Sequence, residues 1–268
     1  MEMKTISFKS SGPSGDLISF LPAVKTACEN LGAKADIYMW LDQKAFYYQG
    51  AEHPYESMFP QHAYDMMKPL IEAQAYVNSF NIWKGEEIVV DLDVHRTKFI
   101  GMPYGSIHRW LGFCYPDTQC DLSKPWLHVP WHNFPSWYHN KANQKVLINR
   151  TSRYNKPYLT YWFMEKYKEQ LMFCGLPQEH EKFQKDWGFE LPLLVVDNFL
   201  ELAIAIKCCK FFIGNQSMCY AIAEGLKSHR LLEVCDFAPN VQPIGPNGWD
   251  FQFQEGLVYL VDKMMKEL

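Results

Sequence analysis

The sequence predicts an α/β protein built on parallel sheets. Two observations carry that prediction: a strand–helix–strand unit spans residues 5–41, and five strand-like segments alternate with four helix-like ones over residues 145–234. Strands joined through helices need crossover connections. Right-handed crossovers lay such strands side by side and parallel, with helices over both faces of the sheet.

Taken in order, TISFK (5–9) reads as a strand, and SSGPSGD (10–16) follows as a loop of small residues. Gly12 and Gly15 permit backbone angles closed to other residues, so the loop implies that something approaches its backbone closely. From about Asp16 to Glu29, Leu17, Phe20, Leu21, Val24 and Cys28 recur at helical spacing. Asn30-Leu31-Gly32 stops that helix, and ADIYMWL (35–41) supplies the second strand. Further on, PLIEAQAYV (69–77) reads as a helix, EEIVVDLDV (86–94) as a strand and GSIHRWLGF (105–113) as a helix or turn.

Between 121 and 143 both periods fail: the stretch holds three prolines, three histidines and five large aromatics. It marks a boundary between two domains, residues 1–143 and 144–268. Its aromatics are expected to anchor the segment to a domain surface, with stacking on a sugar or base as the alternative.

Beyond it, strands are predicted at 145–150, 170–175, 192–196, 210–214 and 230–234, with helices at 158–169, 177–187, 198–209 and 217–227. Ligands of such sheets sit at the carboxyl ends of the strands, which singles out the loops that follow them. Residues 254–268 read as an amphipathic terminal helix.

With 48% hydrophobic and 16% aromatic residues, a chain of 268 residues can bury substantial cores. The net charge of −4 divides as 12 basic against 15 acidic residues up to Asn143 and 14 against 15 beyond, so nucleic acid is not an expected partner. The eight cysteines contain no C-x-x-C pair and read as buried free thiols of a reducing compartment. No basic region precedes an apolar core at the N-terminus, and no apolar run approaches the ~18 residues of a membrane span. A cytoplasmic location is expected, with any membrane contact peripheral. Asp91 and Asp93 alternate along a predicted strand and read as its polar edge. No metal and no other cofactor is expected.

Two loops suit an anion. In GNQS, Gly214 allows close approach while Asn215, Gln216 and Ser217 add hydrogen bonds to the free N–H groups of a helix N-terminus. Simple capping by Ser217 or Asn215 is the competing reading. In NRTSRYNKP, Arg150, Arg153 and Lys156 stand with Thr151 and Ser152, a set that matches a diphosphate or, alternatively, a solvated surface loop. Asp16, at the start of the first helix, is placed either to cap it or to take a proton from an acceptor hydroxyl. His95, Arg96, His108 and Arg109 are within reach of an anionic acceptor on the same reading.

The segment GDLISFLPAVKTACENLGAKADIYMWL (15–41) resembles the opening of glycosyltransferase family 9, the ADP-heptose heptosyltransferases, through Gly15, Asp16, Leu21, Pro22 and Ala23. Residues 197–227 resemble the family's helix, strand, polar donor loop and small-residue helix. The resemblance implies a GT-B fold: two Rossmann-like domains whose parallel sheets face each other across a cleft, with the last helix returning to the first domain. It implies an inverting, metal-independent transferase that moves a sugar from a nucleotide-diphosphate donor to a glycan or other hydroxyl acceptor. Asp16 falls on the family's base, Lys156 on a basic residue near the donor phosphates and residues 214–217 on the donor loop. Arg150, Thr151, Ser152 and Arg153 join the donor side; Ser14, Gly15, His95, Arg96 and Arg109 lie on the acceptor side. The chain departs from the family where the donor loop usually reads Asp-Ser/Thr-Gly and then His; here it has Asn215-Gln216-Ser217-Met218 and Tyr220. A non-catalytic nucleotide- or glycan-binding protein of the same fold is the rival reading.

Overall fold

Strand β1 (Thr5–Ser10) alternates buried Ile6, Phe8 and Ser10 with partly exposed Ser7 and Lys9 in the computed structural model, which describes residues 4–45, 56–130 and 142–268. One face of the strand therefore meets a core and the other does not. The chain turns at Pro13 into α1 (Ser14–Leu31), which buries Leu17, Ile18, Phe20, Leu21 and Val24. It returns as β2 (Lys34–Met39), parallel to β1 from Thr5↔Lys34 to Ser10↔Met39. Helix α2 (Gln61–Glu72) leads to β3 (Val77–Ile82), and β4 (Val90–Asp91) completes a parallel sheet of order β3-β2-β1-β4. Short α3 (Val94–Thr97) and α4 (Trp110–Cys114) follow.

The second sheet has the order β6-β5-β7-β8-β9 and is again wholly parallel. Its elements are β5 (Val146–Asn149), β6 (Leu171–Phe173), α5 (Pro177–Trp187), α6 (Phe199–Cys208), β7 (Phe211–Asn215), α7 (Met218–Leu226), β8 (Arg230–Glu233), β9 (Gly248–Phe251) and α8 (Gln254–Glu267). The predicted α/β class with parallel sheets is the one observed. Among the described residues, no helix is long and apolar enough to cross a membrane.

Several elements differ from expectation. The helix placed at 69–77 starts earlier and ends at Glu72, and β3 follows it; the run VNSFNI is too polar to read as a strand, because only Val77 and Phe80 of it are fully buried. Of the strand placed at 86–94, only Val90 and Asp91 pair, and Asp93 already stands at the cap of α3. Residues 162–170 wind as a 3-10 helix rather than an α-helix. The strand expected at 192–196 reduces to a single bridge, Phe173↔Leu193, and β9 takes the fifth place in the sheet. The terminal helix does not return to the first sheet. Its Leu257, Val261 and Met264, spaced for one helix face, pack with Phe251, Leu231 and Ile213 of the second sheet. Asp262 fixes the same placement by pairing with Lys166 and accepting from Tyr167. All eight cysteines are free thiols as expected, although Cys120 is exposed and Cys208 and Cys209 are half-buried rather than buried.

One apolar core runs through both sheets where α1 packs against α7, and Trp126 is wedged beside that contact. Pro22 lies inside α1 and has no N–H for the carbonyl of Ile18, four residues earlier. The Trp126 indole N–H donates to that oxygen instead, at 3.0 Å. The backbone N–H groups of Trp126 and Leu127 both donate to the Gly225 carbonyl, at 3.0 and 3.1 Å. Gly225 is required there, because a Cβ would come within 2.8 Å of Leu127 Cδ1. Trp126 thus fills the anchoring role expected of this segment's aromatics; Trp131, Phe134, Trp137 and Tyr138 lie outside the described residues.

Trp126→Phe keeps an aromatic ring but removes the indole N–H and leaves the Ile18 oxygen unpaired, so it should cost at least about 1–3 kcal/mol in urea unfolding. In a Pro22→Ala background the restored N–H shares that oxygen, and the cost should shrink. Equal costs in the two backgrounds would mean that the indole does not stand in for the missing helix bond.

Candidate active site

A cavity of about 490 Å³ lies where strand carboxyl ends of both sheets converge. The first turns of α1, α5, α6 and α7 all reach its wall, through Ser14–Asp16, Leu176 and Glu179, Phe199, and Ser217–Met218. Each contributes the partial positive charge of a helix N-terminus, so the cavity is biased towards anions.

The small-residue loop after β1 builds one wall. Its close neighbour is the protein itself: a Cβ on Gly15 would lie 3.7 Å from the Met218 backbone, so α1 and α7 start almost in contact. Ser11 donates through both N–H and Oγ to Asp93 Oδ2, each at 2.7 Å. Arg96 Nη1 in turn donates to Ser11 Oγ at 3.3 Å and lies 3.7 Å from Asp93 Oδ1. That frame sets the Arg96 guanidinium at the cavity wall beside Gly12 and Asp16. Asp91 does not share this role; it pairs with Lys9 at 3.2 Å.

Asp16 does not cap α1, whose cap residue is Pro13. It sits in the first turn and lines the cavity. Burial holds its carboxyl above the usual value, while His95, Arg96 and Arg153 pull it back down. His95 stands behind the wall, 4% exposed, between the rings of Phe20 and Trp110, and donates Nδ1–H to the Leu92 carbonyl at 3.0 Å. Burial lowers the pKa of its imidazole. Arg109 is exposed and does not line the cavity.

Opposite Asp16, Thr151, Ser152 and Arg153 line the wall together with Gln216 and Ser217. Arg150 and Lys156 do not. Arg150 binds Glu233 at 2.8 Å and lies over the Tyr161 and Trp187 rings. Lys156 is 1% exposed and pairs with Asp236 and the Tyr158 hydroxyl. Gly214 lies inside β7, away from the cavity. Asn215 is wholly buried and laces β7 to the neighbouring loop, accepting from Thr151 N at 2.9 Å and donating to Thr151 O at 3.0 Å. Ser217 caps α7, its hydroxyl accepting from Tyr220 N. The side chains of the GNQS loop are therefore largely committed within the protein, and Gln216 is the one that keeps an unpaired atom in the cavity wall.

Glu179 and Asn149 line the cavity without having been singled out. Glu179 accepts from Leu176 N at 3.1 Å, and burial raises its pKa against the pull of that bond and of Arg153. Pro177 followed by Glu179 at a helix start was the signal available for it. Three buried polar atoms of cavity residues have no partner among the described residues: Asn149 Oδ1, His108 Nε2 and Gln216 Oε1. No three His, Cys, Asp or Glu side chains among the described residues group to share a metal ion.

No family model and no curated protein matches the sequence. Solved structures do match over nearly the whole chain. The glycosyltransferase family 9 protein of Veillonella parvula DSM 2008 aligns with a TM-score of 0.60 at 12% identity, over 100% of this chain and 91% of that one. The ADP-heptose LPS heptosyltransferase II of E. coli aligns with a TM-score of 0.61 at 13% identity, over 99% of each chain. An E. coli heptosyltransferase solved with ADP gives 0.57 at 11% identity, over 97% and 99%. The fold is that of the GT-B heptosyltransferases.

Proposed function

We propose that the protein is an inverting, metal-independent glycosyltransferase acting on a nucleotide-diphosphate sugar, with its acceptor side in residues 1–143 and its donor side in residues 144–268. One observation carries the reading: Asp16 on one wall faces Arg153 and the start of α7 on the other wall of a single cavity. Asp16 takes the proton of the acceptor hydroxyl, and the oxygen attacks the anomeric carbon from the side opposite the diphosphate. The carbon–oxygen bond to the diphosphate breaks, and its electron pair leaves with the nucleoside diphosphate. Arg153 and the N–H groups at the start of α7 stabilise that leaving charge, the task a metal ion performs in other transferases. Arg96 orients Asp16 and the acceptor.

Calorimetric titration of ADP, UDP and GDP tests the donor side. One of them should bind the wild type, Arg153→Ala should weaken it about tenfold, and Lys156→Ala should do far less because its ammonium is engaged outside the cavity. If none binds at millimolar concentration, the donor site is wrong. The binding-protein reading draws on Asn215, whose amide is spent on Thr151 where the family's donor loop carries an acidic residue. Nucleotide binding without release of sugar or nucleotide from any donor tested would favour it.

A further inference from the structure

Seven aromatic side chains among the described residues are more than half exposed, and five of them gather on one flank of the second sheet: Tyr158, Trp162, Phe237, Phe253 and Tyr259. The contacts around them show that they share one surface. The Lys156 ammonium lies 5.2 Å from the centre of the Tyr158 ring and 5.9 Å from that of Phe253. The Tyr158 hydroxyl donates to Asp236 Oδ2 at 3.2 Å, and Phe237 is the next residue in the chain. Gln254 accepts from Thr160 N at 2.8 Å and donates to Thr160 O at 3.0 Å, while further along α8 Asp262 pairs with Lys166 at 2.9 Å. Residues 158–166 therefore run beside α8, with Trp162 between those two ties and Tyr259 one turn from Asp262 on the same helix face. The inner side of both segments is already filled by Met164, Leu257, Val261 and Met264, so the five rings are not spare core residues that a local shift could bury.

At roughly 150–250 Å² for each ring, with about two-thirds of it in water, the five leave roughly 500–800 Å² uncovered. The largest apolar patch of a typical monomer is about 300–600 Å², whereas a stable interface takes about 800 Å² from each partner. The patch has the size of an interface core. Its residue types agree, since Tyr, Trp and Phe are the side chains enriched at such cores. Charge then selects the partner. Over residues 156–169, 236–237 and 253–263 four lysines stand against five carboxylates, and Lys156 and Lys166 are each paired with an aspartate. That balance offers no cationic excess to draw a nucleic acid or an anionic membrane, and it does not repel a second identical surface laid against it.

We propose that this surface is the interface of a twofold homodimer, with the five rings of each copy as its core. The dimer does not depend on the catalytic reading of the cavity. It does adjoin the cavity along the chain: the loop after β5 presents Arg153 to the cavity wall and, five residues later, Tyr158 to the interface.

Sedimentation velocity of the full chain tests the proposal directly. Between about 0.1 and 100 μM the wild type should form a reversible dimer, with a Kd in the micromolar range or below. Trp162→Ala and Tyr259→Glu should each raise that Kd at least about tenfold, and Phe99→Ser, which removes a still more exposed ring elsewhere, should leave it unchanged. Because all three side chains lie in water, the circular dichroism of each variant should match that of the wild type. Hydrogen exchange of the wild type gives a reading free of any substitution: the amides of residues 156–164 and 252–260 should gain protection as concentration rises. A chain that stays monomeric throughout overturns the proposal, and so does a dimer that both patch variants leave intact or that Phe99→Ser weakens as much. Wild type that binds neutral lipid vesicles without self-associating overturns it too, and assigns the rings to a membrane surface instead.

Discussion

Asp16→Asn should lower transfer by about 10² to 10⁴, the range expected for loss of a general base, and leave nucleoside-diphosphate affinity nearly unchanged. The substitution keeps the size of the side chain, and no helix cap is lost because Pro13 occupies that position. What disappears is a carboxylate whose burial holds its pKa above 3.8, against the pull of His95, Arg96 and Arg153. A carboxyl with a raised pKa is a stronger base once ionised, so wild-type kcat/KM should fall on the acid side with a midpoint above that value, and the variant should lose this limb. The stability sign is opposite. The folded state holds the Asp16 proton more tightly than the unfolded chain does, so between 3.8 and the raised pKa rising pH works against folding. Asp16→Asn should therefore melt at or above the wild-type temperature at neutral pH. Wild-type turnover in the variant would reduce Asp16 to a lining residue.

Glu233→Ala should be the most damaging change outside the reacting groups, with a loss of about 3–5 kcal/mol in urea unfolding. Glu233 is wholly buried at the end of β8 and receives four donors: Arg150 Nε at 2.8 Å, Arg150 Nη2 at 3.1 Å, the Tyr161 hydroxyl at 2.7 Å and the Lys156 N–H. Removing it strands the Arg150 guanidinium in the interior without its hydrogen-bonded carboxylate, and leaves Asp186 as the acidic group that still acts on it. Arg150 also donates to the Lys156 carbonyl at 2.8 Å, so both ends of the 150–156 loop are tied to this one carboxylate. That loop presents Arg153 to the cavity, and nucleotide affinity should fall together with stability. Glu233→Gln retains the shape and part of the bonding, and should lose less on both counts. A loss under about 1 kcal/mol in Glu233→Ala would show that solvent reaches Arg150 and that the loop stands without the pair.

The amino-acid sequence by itself determined the class of this protein and the loops that line its candidate site. Periods of 2 and 3.6 are local properties, written in neighbouring residues such as Leu17, Phe20, Leu21 and Val24, and they survive any arrangement of the rest of the chain. The strand-to-helix loops at 10–16, 150–156 and 214–217 were legible for the same reason, since small, cationic and polar residues mark a turn at a strand end wherever it lies. Which of their side chains face the cavity was decided only by tertiary structure. Lys156 reads as a phosphate ligand until Asp236, 80 residues later, claims its ammonium; Asn215 reads as a donor-loop residue until Thr151, 64 residues earlier, takes its amide. His108 reads as a contact for an anionic acceptor until Ser106 takes its Nδ1 and Trp126 lies against its ring. Strand β3 was hidden because only Val77 and Phe80 of it are fully buried, and β9 because its pairing partner Arg230–Glu233 is set by the sheet rather than by its own GWDF. A buried charge or amide takes whichever partner the fold brings within hydrogen-bond reach, and that choice has no local signature in the chain.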